Sequence, residues 1–146
     1  MEFIKAEEFL GQPVEVQNVL LEWWKPSIGD LFTTKRVYDE IDVIVDTTVN
    51  DIFGMNRTFY GNIYNSVDKS LFPFPLLSEG QLRQFIEDKT MCKITVNPSV
   101  EGKYHVGYDE WVGIKDKTQL IYTDNLLQAY WKVAIEVAKE DISNDL

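Results

Sequence analysis

Six residues, Leu77 to Leu82, constrain the fold of this chain more than any other stretch. Ser78 is followed three positions later by Gln81. At that spacing a cap hydroxyl accepts from the third helical N–H while the amide side chain reaches back to the cap's own N–H. Leu77 before the cap and Leu82 at the fourth helical position form the matching hydrophobic staple. Leu82, Phe85, Ile86 and Lys89 continue at helical spacing, so a helix is expected over residues 79–89. Upstream, Leu71-Phe72-Pro73-Phe74-Pro75 is apolar but carries two prolines, and reads as an extended linker lying on the core.

Downstream, strand patterns follow at residues 92–97, 103–108 and 118–122, with 111–114 a further candidate between them. Asn97-Pro98-Ser99 and Glu101-Gly102 supply the turn chemistry for the first reversal, and short meanders of this kind are antiparallel. Thr123 or Asp124 is expected to cap a last helix over residues 125–140. Its apolar stripe is Leu127, Tyr130, Trp131, Ala134, Val137 and Ala138. Leu126, Val133 and Ile135 widen that stripe beyond what one sheet contact requires. Either the helix is sandwiched between a sheet and another helix, or part of it is an interface. The sandwich is favoured because the first helix also needs a partner.

That first helix is expected over residues 13–24. Pro13 suits the first helical position, and Val16, Val19, Leu20 and Trp23 recur at helical spacing. Lys25-Pro26 ends it, since the residue before proline is pushed out of the helical region. Residues 3–10 add a short turn packed through Phe3, Phe9 and Leu10. Residues 37–46 alternate as a half-buried strand, with Ile41, Val43 and Val45 on one side and Asp42, Ile44 and Asp46 on the other. Residues 58–65 form a second candidate strand, to be paired with the first as a hairpin across a loop at 50–56.

With 146 residues, one core suffices without disulfide or metal. The expected class is therefore α+β: one domain over residues 1–146, a mainly antiparallel sheet of about four to six strands and about three helices. The single cysteine, Cys92, rules out an internal disulfide and fits a reducing compartment. The start Met-Glu-Phe-Ile-Lys-Ala-Glu-Glu has neither the basic opening nor the apolar run of a signal peptide. No stretch reaches the ~20 apolar residues of a membrane span. A cytoplasmic setting is expected.

The formal net charge is −10, from 24 acids and 14 bases. The acids divide evenly, 12 in residues 1–73 and 12 in 74–146, against 6 and 8 bases. A charge of this sign repels phosphate backbones and anionic membranes, so direct nucleic-acid or membrane binding is not expected. It serves solubility, or it meets a basic partner by imitating nucleic acid.

Three segments carry a resemblance. They are Glu22-Trp23-Trp24-Lys25-Pro26-Ser27-Ile28-Gly29-Asp30-Leu31-Phe32, then Pro75-Leu76-Leu77-Ser78-Glu79-Gly80-Gln81-Leu82-Arg83-Gln84-Phe85-Ile86-Glu87-Asp88-Lys89, and Asn125-Leu126-Leu127-Gln128-Ala129-Tyr130-Trp131-Lys132-Val133-Ala134 running on to Glu140. Together they resemble uncharacterised proteins encoded by phages and prophages of low-GC Gram-positive bacteria. The closing strand-plus-helix unit is similar, less closely, to small α-β-α sandwich domains of phage proteins. Residues 33–72 depart most from the pattern. The resemblance implies an accessory protein of a mobile element, working in the cytoplasm of a bacterial host, and carries over no catalytic residue.

Residue by residue, no catalytic set or cofactor site emerges. His105 is the only histidine; it reads as an ordinary strand residue. Cys92 reads as a small buried hydrophobe. A Cys92–His105 pair on adjacent strands lacks an orienting third group. Glu40, Asp42 and Asp46 alternate onto one strand face, where they could hold a hard cation or a basic surface. A solvated face is the simpler reading. Asp109, Glu110 and Asp116 fall in turns without the spacing of a calcium loop. No glycine-rich phosphate loop, zinc pattern or serine elbow is present, and no metal site is expected.

Candidate contact residues are therefore Trp24, Lys25 and Asp30 in the turn after the first helix, the acids Glu40, Asp42 and Asp46, and the apolar Phe72 and Phe74. The leading expectation is a non-enzymatic module that binds a host or phage protein, with a homodimer as an added arrangement. The alternatives are an acidic anti-defence inhibitor of a nucleic-acid-binding host enzyme, and a nucleotide-sequestering protein whose basic pocket would draw on Arg36, Arg57 and Arg83.

Overall fold

The described strands pair antiparallel. A computed structural model describes residues 2–35, 40–44, 57–58, 62–63, 73–98, 102–110, 116–117 and 125–144. The class is α+β, as expected. Four helices are described, with three small antiparallel sheets. The described chain divides into two compact units interleaved along the sequence. One comprises residues 1–4, 12–23 and 77–146, the other 5–11 and 24–76. No helix among the described residues is long and apolar enough to cross a membrane.

The first unit holds α2 (Val14–Trp23), α3 (Glu79–Thr90), β6 (Cys92–Pro98), β7 (Tyr104–Glu110), β8 (Asp116–Lys117) and α4 (Leu126–Asn144). At the start of α3 the capping box is formed as expected. Ser78 Oγ accepts from Gln81 N–H at 3.3 Å, and Gln81 Oε1 accepts from Ser78 N–H at 2.9 Å. Leu77 and Leu82, the staple pair, are both fully buried. The chain start is tied to the same place: Ile4 N–H donates to the Leu77 carbonyl at 2.8 Å.

The α3 helix ends at Met91, whose φ of 56° is the left-handed conformation that closes a helix, with its N–H bonded to the Glu87 carbonyl. Glycine usually takes this position because it has no Cβ to clash. A left-handed methionine, 74% exposed, is unusual here.

The helix α4 starts one step later than expected. Asn125 Oδ1 accepts from Gln128 N–H at 3.2 Å, so Asn125 is the cap. Thr123 and Asp124 lie outside the described residues. The helix also runs on to Asn144. Every residue of its expected stripe is buried, and so are Val133 and Ile135. The wide face has the cover expected of a sandwich, since α4 packs against α2, α3 and β7. Lys89 of α3 bonds Asp141 of α4 at 3.2 Å.

The α2 helix buries Val16, Val19 and Leu20 as expected, and Pro13 precedes its first turn, its carbonyl accepting from Gln17 N–H. Gln17 is buried too, donating to the Gln12 carbonyl at 2.8 Å. Trp23 closes the helix edge-on to Phe85, ring centroids 5.4 Å apart, and its indole donates to Asp88 at 2.9 Å.

The β6–β7 register pairs Cys92 with Glu110 and Pro98 with Tyr104. Cys92, Ile94 and Val96 share one face, of which Cys92 and Ile94 are buried. Asp109 and Glu110, expected in a turn, instead close β7, and Asp116 opens β8 as the register partner of Asp109. Ladder pairing thus extends past the turn signals that their polarity suggested. The strand candidates at 111–114 and 118–122 lie outside the described residues.

The second unit holds α1 (Ala6–Leu10), β1 (Leu31–Thr34), β2 (Asp42–Val43), β3 (Arg57–Thr58), β4 (Asn62–Ile63) and β5 (Pro73–Pro75). The expected hairpin is corrected. β2 pairs with β1, and β3 pairs with β4 where residues 58–65 were expected to form one strand. A strand edge pairs with whichever neighbour the rest of the chain brings alongside, which alternation within one segment does not specify.

The linker before Ser78 is extended, as expected, but β5 within it is a strand paired with β1. Proline is tolerated there because β5 ends the order β2–β1–β5. Phe74 is stacked on Phe9 of α1, centroids 4.9 Å apart with the rings 10° from parallel.

Candidate interaction surface

Asp30 organises the turn that leads into β1. Its Oδ2 accepts from the indole of Trp24 at 3.0 Å and from Ser27 N–H at 3.0 Å. Asp30 N–H closes the reversal on the Ser27 carbonyl, with Gly29 at φ 94° in the third position. A β-turn with positive φ at that position requires glycine or a near equivalent. Ile28, beside it, is 70% exposed. Gly29 N–H then donates to the Ile44 carbonyl, and Ile44 N–H donates to the Asp30 carbonyl. The turn is thereby bonded to the end of β2.

Of the contact residues expected from sequence, Trp24 and Phe74 require correction. Trp24 is 8% exposed and Phe74 only 2%, so both are core residues of the second unit. Pro73–Pro75 is a strand, and the Phe74 ring is used against Phe9. Asp30 is half-buried, and its carboxylate is occupied by the turn. Lys25, Glu40 and Asp42 are exposed. Asp46 and Phe72 lie outside the described residues.

Along residues 41–44 the face assigned to the core is corrected: Ile41, Asp42 and Val43 are exposed and Ile44 is buried. Ile44 is 1% exposed, while Ile41 and Val43 stand at 52% and 38%. Alternation says which residues share a face; the neighbours decide which face is covered. Ile44 is drawn in by its bonds to the turn, and Thr33 Oγ1 donates to the Glu40 carbonyl at 2.7 Å. The result brings three exposed aliphatic residues, Ile28, Ile41 and Val43, onto the turn and the strand bonded to it, with Glu40 and Asp42 between and beside them. Ile28 belongs to the turn expected to carry contacts. Ile41 and Val43 were expected to be buried, and no local signal in the sequence distinguishes them from core.

The other chemical candidates separate. Cys92 is buried, its thiol donating to the Thr90 carbonyl at 3.1 Å, in keeping with a core role. His105 pairs in register with Asn97, five positions from Cys92 and on the opposite sheet face, about 16 Å along the ladder. The conceivable Cys92–His105 pair is therefore excluded. Arg83 bonds Glu87 at 3.2 Å along α3. Arg36 and the side chain of Arg57 lie outside the described residues. Among the described residues, no three of His, Cys, Asp and Glu gather as metal ligands.

In the first unit, Tyr130 is buried on α4, and burial pushes its phenol above the ordinary value of 10.0. Arg83 works against that shift, while Glu79 and Glu87 add to it.

Comparison with known proteins finds no matching family model, no matching curated protein and no matching solved structure.

Proposed function

We propose that this chain is an accessory protein of a phage or prophage that acts by binding another protein rather than by catalysis. The observation that carries the binding reading is the exposed aliphatic group Ile28, Ile41 and Val43, set on a hydrogen-bonded turn and strand with Glu40 and Asp42 alongside. Aliphatic side chains held on ordered backbone give up little entropy when covered. Carboxylates at the margin select a partner by charge. The three-segment resemblance supplies the setting: a mobile element in a bacterial cytoplasm, and so a host or phage protein as partner.

The test is affinity capture from host and phage-infected extracts with the full chain and with Ile28→Asp, which keeps the sign of the surface charge. The parent recovers a defined protein, and Ile28→Asp loses it while its circular dichroism and denaturation midpoint stay as in the parent. Equal recovery by the two proteins, or no protein above the control, overturns the reading.

A second reading is favoured by the net charge of −10: an inhibitor presenting acidic surface to a nucleic-acid-binding defence enzyme of the host. In that case DNA or RNA displaces the captured partner, and recovery falls steeply with salt.

A further inference from the structure

β2 stands at the outer end of the order β2–β1–β5, and among the described residues no strand lies beyond it. The register determines which of its backbone groups face outward. Leu31 is the partner of Val43, and the Leu31 carbonyl is already taken by Leu76 N–H, at 2.9 Å, on the β5 side. A strand residue directs its N–H and C=O to the same side, so Leu31 and Val43 form a non-hydrogen-bonded pair. The N–H and C=O of Val43 therefore point away from β1. Ile44, one residue on, donates inward to the Asp30 carbonyl, as alternation requires. Ile41 comes immediately before β2, two positions from Val43. The edge thus offers the backbone donor and acceptor of Val43 to a neighbouring strand.

The side chains along this edge are exposed at 41, 42 and 43. Ile41 and Val43 share one face and Asp42 takes the other. We propose that this edge receives a β-strand from a protein partner, and that the incoming segment alternates apolar residues with Lys or Arg. The proposal rests on the protein-binding reading above and names the partner's chemistry. Main-chain bonds to Val43 provide the affinity of such strand addition, and alternate side chains provide its specificity. Apolar residues of the incoming strand lie against Ile41 and Val43, and its cations lie against Asp42, with Glu40 beside it. A second copy of this chain is the poorer occupant. Antiparallel pairing of β2 with itself centred on Asp42 sets that carboxylate against its own copy, and like charges facing each other across strands are destabilising.

The test uses synthetic peptides and the full chain. A short peptide alternating valine and lysine binds the parent, seen by fluorescence anisotropy and by slowed amide exchange at Val43. A valine–glutamate peptide does not bind. Val43→Pro removes an outward N–H while leaving the β1 bonds in place, and weakens the valine–lysine peptide about tenfold, the loss of a backbone bond or two in a closed interface. Asp42→Lys reverses the preference between the two peptides. N-methylation of the peptide's β2-facing amides abolishes binding to the unaltered protein, which keeps the test independent of how the variants fold. Equal binding of both peptides, or indifference to N-methylation, overturns the proposal. So does light scattering that shows a dimer dissociated by Val43→Pro, which would give the edge to a second copy. Should Ile28→Asp lose the captured partner while Val43→Pro retains it, strand addition is wrong and the protein-binding reading stands.

Discussion

The indole of Trp24 donates to Asp30 at 3.0 Å, and the same carboxylate oxygen accepts from Ser27 N–H at 3.0 Å. One acceptor thus serves two donors, and a tryptophan next in sequence to the end of α2 becomes a core residue of the second unit. Asp30→Ala strands a largely buried indole N–H and opens the turn into β1. The expected loss is about 1–3 kcal/mol, read as a lower urea midpoint. Asp30→Asn retains an acceptor and costs less.

Phe74 offers a sharper contrast between surface and core. A contact residue on the surface can be truncated with little effect on folding. Stacked on Phe9 and 2% exposed, Phe74 truncated to alanine is expected to cost about 3–5 kcal/mol in chemical denaturation. A change below about 0.5 kcal/mol, the usual range for surface substitutions, would contradict its placement.

At α3 the reciprocal bonds of Ser78 and Gln81 are worth measuring as a pair. Ser78→Ala is expected to cost about 0.5–2 kcal/mol. The double variant Ser78→Ala/Gln81→Ala should lose less than the sum of the two singles, because each single change already breaks the box. Strict additivity in a double-mutant cycle would show that the two bonds act separately.

The other end of α3 should respond in the opposite direction. Met91 holds φ at 56°, a conformation in which a Cβ is costly and glycine is at ease. Met91→Gly is expected to stabilise the protein by about 1 kcal/mol, partly offset by the greater freedom of glycine in the unfolded chain. The denaturation midpoint checks the sign, and a destabilised variant would refute it.

Tyr130 ties stability to alkaline pH. Burial raises its phenol above 10.0, with Glu79 and Glu87 adding to the shift and Arg83 opposing it. The neutral phenol is thus favoured in the folded state relative to the unfolded one. Its stabilising contribution is complete below the ordinary value and is lost as pH rises from there through the folded-state value. Tyrosinate absorbance, taken as the difference between the parent and Tyr130→Phe, should show one tyrosine titrating late. Tyr130→Phe should also flatten the decline in stability above pH 10.0. An ordinary titration at this position would show the phenol to be solvated.

The helices were legible in the sequence because their signals are local. A cap and its third residue are joined through a single turn, and an apolar stripe repeats within a few residues of itself. Ser78, Gln81, the stripe of α4 and the core face of α2 could all be read directly. The cap of α4 was displaced by one or two residues, because Thr123, Asp124 and Asn125 are near-equivalent caps and packing selects among them. The antiparallel pairing of β6 with β7 was also readable, since turn residues lie between two alternating segments.

The candidate interaction surface was not readable in the same way. Alternation at residues 41–44 states that Ile41 and Val43 share a face and that Ile44 takes the other. It contains nothing about which face meets cover. That was decided by the bonds from Gly29 and Asp30 to Ile44, which come from a turn more than ten residues away. Trp24 was misread for a related reason: beside Trp23, and past the end of its helix, it has no periodicity to betray its partner, and Asp30 supplies one only when the turn closes. The sequence alone determined the cap of α3 and the apolar stripes of α2 and α4, because those depend on neighbours along the chain. Tertiary structure decided which aliphatic residues are core and which are left at the edge of β2, because burial depends on what the rest of the chain brings alongside.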